Sequence, residues 1–302
     1  MKSHRWVHRE VHDLAWVIAS APMIVGGAFS ENWIDRQQCQ RWFQGASAWL
    51  LEQDKAPGLL QEYLRTLLDK RLGSRFEALL AWWLEANPQL ELMHRNLAVR
   101  VPGRTLGEFD FIIRDRLTGR VIHWEVAVKF YLAVADAQLR TVYYGPDLRD
   151  RLDNKLRHMV NHQMSLAERA EVHDWLRQRG LKIDSHCGLV KGRLFYNHKY
   201  FDRSPLDENC IDQGHERGEW VSMSDFPIRF KASGLDWTVL DKSFWFAPVT
   251  VGDEFPWLTL QQLSELLVAK GLYRPVCLAG GREGVERRRV FLVPDDWVAC
   301  DN

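Results

Sequence analysis

Two carboxylates, Asp110 and Glu125, have the types and spacing that most directly imply chemistry in this chain. They lie in two β-rich runs, LGEFDFIIRD and RVIHWEVAVKFYL, on either side of Arg116-Leu117-Thr118-Gly119. A short loop ending in glycine between such runs is a hairpin signature. Centred on that loop, the pairing sets Asp115 against Arg120, Ile112 against His123 and Asp110 against Glu125. Strand alternation puts Glu108, Asp110 and Arg114 on one face of the first strand. It puts His123, Glu125, Ala127, Lys129 and Tyr131 on the matching face of the second. Phe109, Phe111, Ile113, Trp124, Val126, Val128 and Phe130 form the other face, which is apolar and expected to be core.

Directly opposed carboxylates have Cβ atoms roughly 5 Å apart and repel. A hard divalent cation between them removes that penalty, because such ions take carboxylate oxygens. The competing arrangement has both side chains pointing into water from a solvated hairpin face. A one-residue slip in register would also separate them.

The elements that must position this pair lie on both sides of it. Upstream, Ser74-Arg75-Phe76-Glu77 opens the run ALLAWWLEANP. Serine followed three residues later by Glu is a capping box, which would make Glu77 a helix-start residue. Yet Leu80, Ala81 and Leu84 follow Glu77 at helical spacing, so its carboxylate also sits on an apolar stripe and needs a partner there. Residues 96–101 read as a first strand with a turn at Pro102-Gly103. Downstream, Gly145-Pro146-Asp147 precedes DLRDRLDNKLRHMVNHQ, a helix with Asp147 as its cap. Leu148, Leu152, Lys155, Met159 and Gln163 share one stripe of it. Lys155 and Gln163 are therefore polar where core is expected, although a lysine on such a face often snorkels to water. A second helix is expected over about 166–179 and a core strand over 186–196. Short strands follow, with one helix near 259–270.

Other constellations carry less. His4, His8 and His12, and the pair His158 and His162, recur at helical spacing and read as solvated faces rather than metal ligands. Trp237, Trp245 and Trp257 can stack on bases but more often pack in cores. Arg287-Arg288-Arg289 reads as a solvated strand edge.

The 302 residues, 46% of them hydrophobic, suffice for a sizeable core. Forty acidic and forty basic residues balance, so any nucleic-acid binding requires a local patch rather than a general basic field. Five cysteines are scattered and never paired as CxxC, which fits a reducing cytoplasm and argues against a structural zinc site. Leu14 to Phe29 is too short to span a bilayer and is broken by Pro22 and glycines. A buried helix ending near Pro22 is the better reading, with no membrane partner.

The order Glu77, Asp110, Glu125 and a downstream lysine resembles the PD-(D/E)XK nuclease superfamily. More closely, LAWVIASAP, GEFDFI, HWEVAVKFYL, YYGPDLRDRLDNKL and KGRLFY resemble an uncharacterised bacterial protein family placed in that superfamily. The resemblance implies an α+β fold with a restriction-endonuclease-like αβββαβ core over residues 61–200. An N-terminal helical region (1–60) and a β-rich C-terminal extension packed on the core (201–302) flank it. It implies a Mg²⁺-dependent (or Mn²⁺-dependent) nuclease acting on nucleic acid, DNA in the first instance. Asp110 and Glu125 would be ligands, the Val126 carbonyl a further one, and Glu77 would hold a second ion or a metal-bound water. The chain departs from the motif twice. Phe109 stands where the Pro would be, and Ala127 stands where the motif has lysine. Lys129 shares the face but lies about 6 to 7 Å further on. Lys155, on a helix that often contributes to such sites, is the other candidate. The alternative is a catalytically inactive nuclease-fold module that binds nucleic acid or a protein partner.

Overall fold

A computed structural model of the protein describes residues 6–26, 32–135, 141–197, 210–250, 253–271 and 273–297. Among these residues the fold is α+β, with helices packed on both faces of one large mixed sheet of nine strands. Four helices come first: α1 (Arg9–Ala19), α2 (Arg36–Lys55), α3 (Gly58–Arg65) and α4 (Leu72–Ala86). Then β1 (Leu90–Val101), β2 (Arg104–Asp115) and β3 (Val121–Ala135) form an antiparallel meander, with β4 (Thr141–Tyr144) paired to the end of β3. A helical segment, α5 (Leu152–His158) to α6 (Ala170–Arg177), leads into β5 (Ser185–Asn197), which runs parallel to β3.

β5 is the hinge between the two halves of the sheet. Its other edge takes β6 (Glu216–Ser222) in parallel; α7 (Asp225–Phe230), β7 (Asp236–Leu240), α8 (Leu260–Lys270), β8 (Val276–Arg282) and β9 (Val285–Val293) follow. β9 lies parallel to β6, and β8 and β7 complete the sheet antiparallel. Residues beyond 200 are therefore not a smaller layer on the core, as the sequence reading has them. Their strands continue the same sheet, because β5 is buried along most of its length and offers both edges for pairing.

Both faces of the meander are covered, which no hairpin pattern alone announces. Phe111, Ile113, Trp124, Val126, Val128 and Phe130 pack with α1, α2 and α4. Trp42 of α2 sits 5.1 Å from both Trp83 and Trp124, ring centre to ring centre. Each such side chain taken fully out of water contributes about 1.5–3 kcal/mol. Val99, Phe109 and Ile112 instead pack beneath Leu166, Val172, Trp175 and Leu176. Phe109 thus departs from the expected face: Phe109 and Ile112 share one cluster and Phe111 the other, so the alternation shifts phase at Asp110.

Two helix readings are corrected. The Asp147-capped helix begins only at Leu152, because residues 145–150 form a turn in which Gly145 N–H bonds Asp150 O at 2.7 Å and Leu148 has φ +62°. It then passes through a π turn at Met159–Gln163 and a 3₁₀ turn at Met164–Glu168. The Ser74–Glu77 capping box does not form either. Helix α4 starts earlier, at Leu72, and the Ser74 hydroxyl donates to Asp69 Oδ2 at 2.6 Å. The capping box that does form is Thr259–Gln262, at the start of α8. The expected helix ending near Pro22 is α1, whose residues Leu14 to Ile18 are buried. No described helix is long and apolar enough to cross a membrane.

Candidate metal centre at a strand fork

The hairpin closes in the register expected from its loop. Phe111 pairs with Trp124, Ile112 with His123, Ile113 with Ile122 and Arg114 with Val121, and Asp115 N–H bonds Arg120 O at 2.9 Å. Asp115 also receives the N–H groups of Leu117 and Thr118, which fixes the turn. The ladder stops at Phe111–Trp124. One residue further, Asp110 does not pair through its backbone. Its carboxylate Oδ2 instead accepts the N–H of Val126 at 2.9 Å. The side chain thus replaces a strand carbonyl, and β2 and β3 fork apart there. Across β2, Asn96 stands level with Asp110, between the pairs Arg95–Phe111 and Leu97–Phe109. Asn96 has φ +51°, a left-handed conformation that Asn tolerates better than most residues.

Glu125 lies in the fork and is 1% exposed. Its Oε1 accepts a hydrogen bond from Gln163 Nε2, and its carboxyl meets that of Asp110. The carbonyl of the same Gln163 amide accepts from Lys155 Nζ at 2.9 Å. The stripe Lys155–Gln163 therefore does reach the carboxylates, across the π turn that the sequence did not announce. Such turns inside helices are frequent at functional sites. His123 Nε2 stands 3.6 Å from Glu125 Oε2, fully buried, with its ring edge-on to Phe109 at 4.8 Å. Among the described residues neither ring nitrogen of His123 makes a well-formed hydrogen bond.

The electrostatics follow from this crowding. Burial, and then the Glu125 charge, pushes Asp110 up to about 7. Burial likewise raises Glu125 to about 7, against the pull of Lys155. Burial lowers Lys155 from its usual range, with Glu125 acting in the opposite direction. Burial drives His123 down to about 4, so the imidazole is neutral. Two acids raised to about 7 where two strands part make an arrangement short of positive charge.

The other expected residues are placed as follows. Glu77 is half-buried on α4, bonded to the Asn96 side chain, and raised by burial and then by Asp110. It approaches the pair without joining it. Among the described residues no three His, Cys, Asp or Glu side chains come together as a metal group. Lys129 is turned away: its ammonium pairs with Asp150 and lies 6.0 Å from the Tyr131 ring centre. His158 and His162 are exposed with rings 5.1 Å apart. His8 bonds Asp54 at 3.2 Å, and His4 lies outside the described residues. Trp237 and Trp245 are core. In the arginine run, Arg289 is buried against Glu286, while Arg287 and Arg288 are exposed as a solvated edge requires, Arg288 also reaching Glu219.

The missed participants differ in how visible they were. Gln163 stood out as polar on an apolar stripe, and His123 shared the carboxylate face. Nothing in the sequence marks Asn96 or the Val126 N–H, because both depend on where the ladder ends.

Fold and site together define an α+β protein with a buried carboxylate pair at a fork in a mixed sheet. The chain belongs to the family described as a domain of unknown function, DUF1853, whose model matches residues 12–293. No curated protein and no solved structure matches it.

Proposed function

We propose that this protein is a metal-dependent phosphodiesterase of the PD-(D/E)XK type, acting on nucleic acid, DNA in the first instance. One observation carries the reading: Asp110 and Glu125 converge side chain to side chain in the fork, both raised toward protonation. All-oxygen, carboxylate-rich donors suit Mg²⁺ or Mn²⁺. Asp110 and Glu125 are the residues that would hold the ion, with Glu77, whose carboxyl feels the Asp110 charge, the candidate to bond a water on it. When bound, it would polarise a phosphate oxygen and lower the pKa of water. Asp110 contributes a fixed geometry, because the Val126 N–H orients its carboxylate. Gln163 holds Glu125 by one oxygen. Lys155, carried by Gln163, supplies positive charge beside the phosphate in place of the lysine missing at 127.

The test is cleavage of labelled DNA and RNA with Mg²⁺ or Mn²⁺ added after chelation. Metal-dependent cleavage that is lost in Asp110→Ala is the expected result. Absent cleavage of either nucleic acid, or full activity in that variant, defeats the proposal.

A second reading rests on Ala127 and on the engagement of Lys129 by Asp150: a module that binds nucleic acid or a protein partner without turnover. Calorimetry separates the two. Divalent-ion binding lost in both Asp110→Asn and Glu125→Gln favours the enzyme, whereas metal-independent nucleic-acid binding favours the module.

A further inference from the structure

Beyond the fork, the edge of β3 that faces β2 stays without a strand partner from Glu125 until β4 takes up pairing at Leu132. That open stretch borders a cleft of about 870 Å³, reached through Lys129. Four residues of strand separate Lys129 from Glu125, about 13 Å. The walls are apolar and aromatic, with Phe130, Trp245 and Trp297 among them. The rim differs in character. Arg149, Lys242 and Arg274 stand exposed on it, none ion-paired with a carboxylate among the described residues. Tyr273 beside them is 88% exposed, its ring lying against Gly271 and otherwise presented to solvent. Lys129 and Asp150 on the floor neutralise each other, and Asp147 and Asp296 stand beside the rim cations, so the lining as a whole carries one net positive charge.

Apolar walls with aromatic faces and spare cations above them match what a single polynucleotide strand offers: bases with π-faces and phosphates at regular intervals. A duplex hides its bases and would use only the cations. We propose that this cleft binds single-stranded DNA, with a base against Tyr273 and phosphates at Arg149, Lys242 and Arg274. The strand then leads along the open edge of β3 to the carboxylate pair. The inference rests on the nuclease reading for the role of that path, but the binding itself does not.

The experiment is fluorescence anisotropy of a labelled oligothymidylate with the full chain in a chelator, so that no cleavage enters. A blunt duplex, an oligouridylate and an acidic peptide serve as comparison probes. The oligothymidylate is expected to bind tightest. Its log affinity should fall against log salt with a slope of about −2, as for three neutralised phosphates on a single strand. The triple variant Arg149→Ala, Lys242→Ala, Arg274→Ala should flatten that slope and weaken binding at least tenfold. Tyr273→Ala should weaken binding severalfold with the slope unchanged, which a purely electrostatic surface would not do. All four positions are exposed, so folding is not at stake. Tighter binding of the duplex, the RNA strand or the peptide overturns the proposal, as does unchanged binding in the variants. The parent chain gives the separation: intact strand binding without metal-dependent cleavage removes the nuclease and leaves the cleft. Cleavage that persists with cleft variants binding normally removes the cleft and leaves the nuclease.

Discussion

Lys155 Nζ donates to Gln163 Oε1 at 2.9 Å, two residues on the same helical segment whose other contact is the buried Glu125. The amide acts as a relay, holding an ammonium on one side and a carboxylate on the other. Lys155→Ala is therefore expected to lower the cleavage rate by about 10²–10³, the usual loss for a preorganised charge-stabilising group. Arg157→Ala, two residues further on and exposed toward Asp153, should change it by less than about threefold. Single-turnover kinetics with both variants is the check.

Gln163→Leu removes the donor to a buried carboxyl and should cost about 1–3 kcal/mol in urea unfolding. It should also release Lys155, so cleavage falls with stability. Gln163→Glu puts a third carboxylate beside the pair and should be worse at pH 8 than at pH 5.

The carboxylate pair makes a signed prediction about pH. Burial raises both acids to about 7, above their values in the unfolded chain. Between their unfolded pKa values and about 7 the native state therefore holds more protons, and stability without metal falls as pH rises. His123, lowered to about 4, works oppositely below its unfolded pKa, but with one proton against two. Melting temperature in a chelator should thus decline from about pH 5 to pH 8, and Asp110→Asn should flatten the decline. Mg²⁺ should restore more stability at pH 8 than at pH 6, since ligands must be deprotonated to bind it.

The hairpin register and one apolar face of β3 were legible because the loop and the alternation are local. The resemblance to a helix–meander–helix–strand order matched the element order from α4 to β5, while the nuclease identity of that order stands as a proposal. What the sequence did not disclose are the places where tertiary geometry overrides a local rule. The phase shift at Asp110 arises because its side chain takes over a backbone rung. The late start of α5 arises because Leu148 adopts a left-handed conformation that no residue pattern demands. Arg289 read as an edge because arginines usually are; it is buried because Glu286 and three backbone carbonyls receive it.

Gly192 faces β3 at the level of Lys129, with φ +136°. A Cβ there would lie 1.7 Å from the Lys129 carbonyl oxygen. Gly192→Ala should destabilise the protein by about 2–4 kcal/mol through backbone strain and displacement of β3. Equilibrium unfolding measures it.

Asp13 is fully buried on α1 and takes ion pairs from Arg9 at 2.8 Å and Arg75 at 3.0 Å, besides the N–H of Ala247. Asp13→Ala leaves Arg75 without its counter-charge and Arg9 with Asp253 alone, and should cost about 3–5 kcal/mol. The same bond joins the first helix to the C-terminal half. A chain ending near residue 205 should accordingly fail to fold rather than yield an isolated core, as protease resistance would reveal.

The π turn at Met159–Gln163 sets the angular phase between the two ends of this helix. An α-helix advances about 100° per residue, so a turn closed by an i→i+5 bond carries one residue more than the regular spiral needs. Deleting that surplus residue, for instance Val160, should let the segment close as an unbroken α-helix. Composition would scarcely change. The amide, then seven residues from Lys155, would keep its place on the same face, whereas an α-helix closed over the full eight residues would put it about 80° away. The link between ammonium and carboxylate is thus held by a count of residues as much as by their kinds.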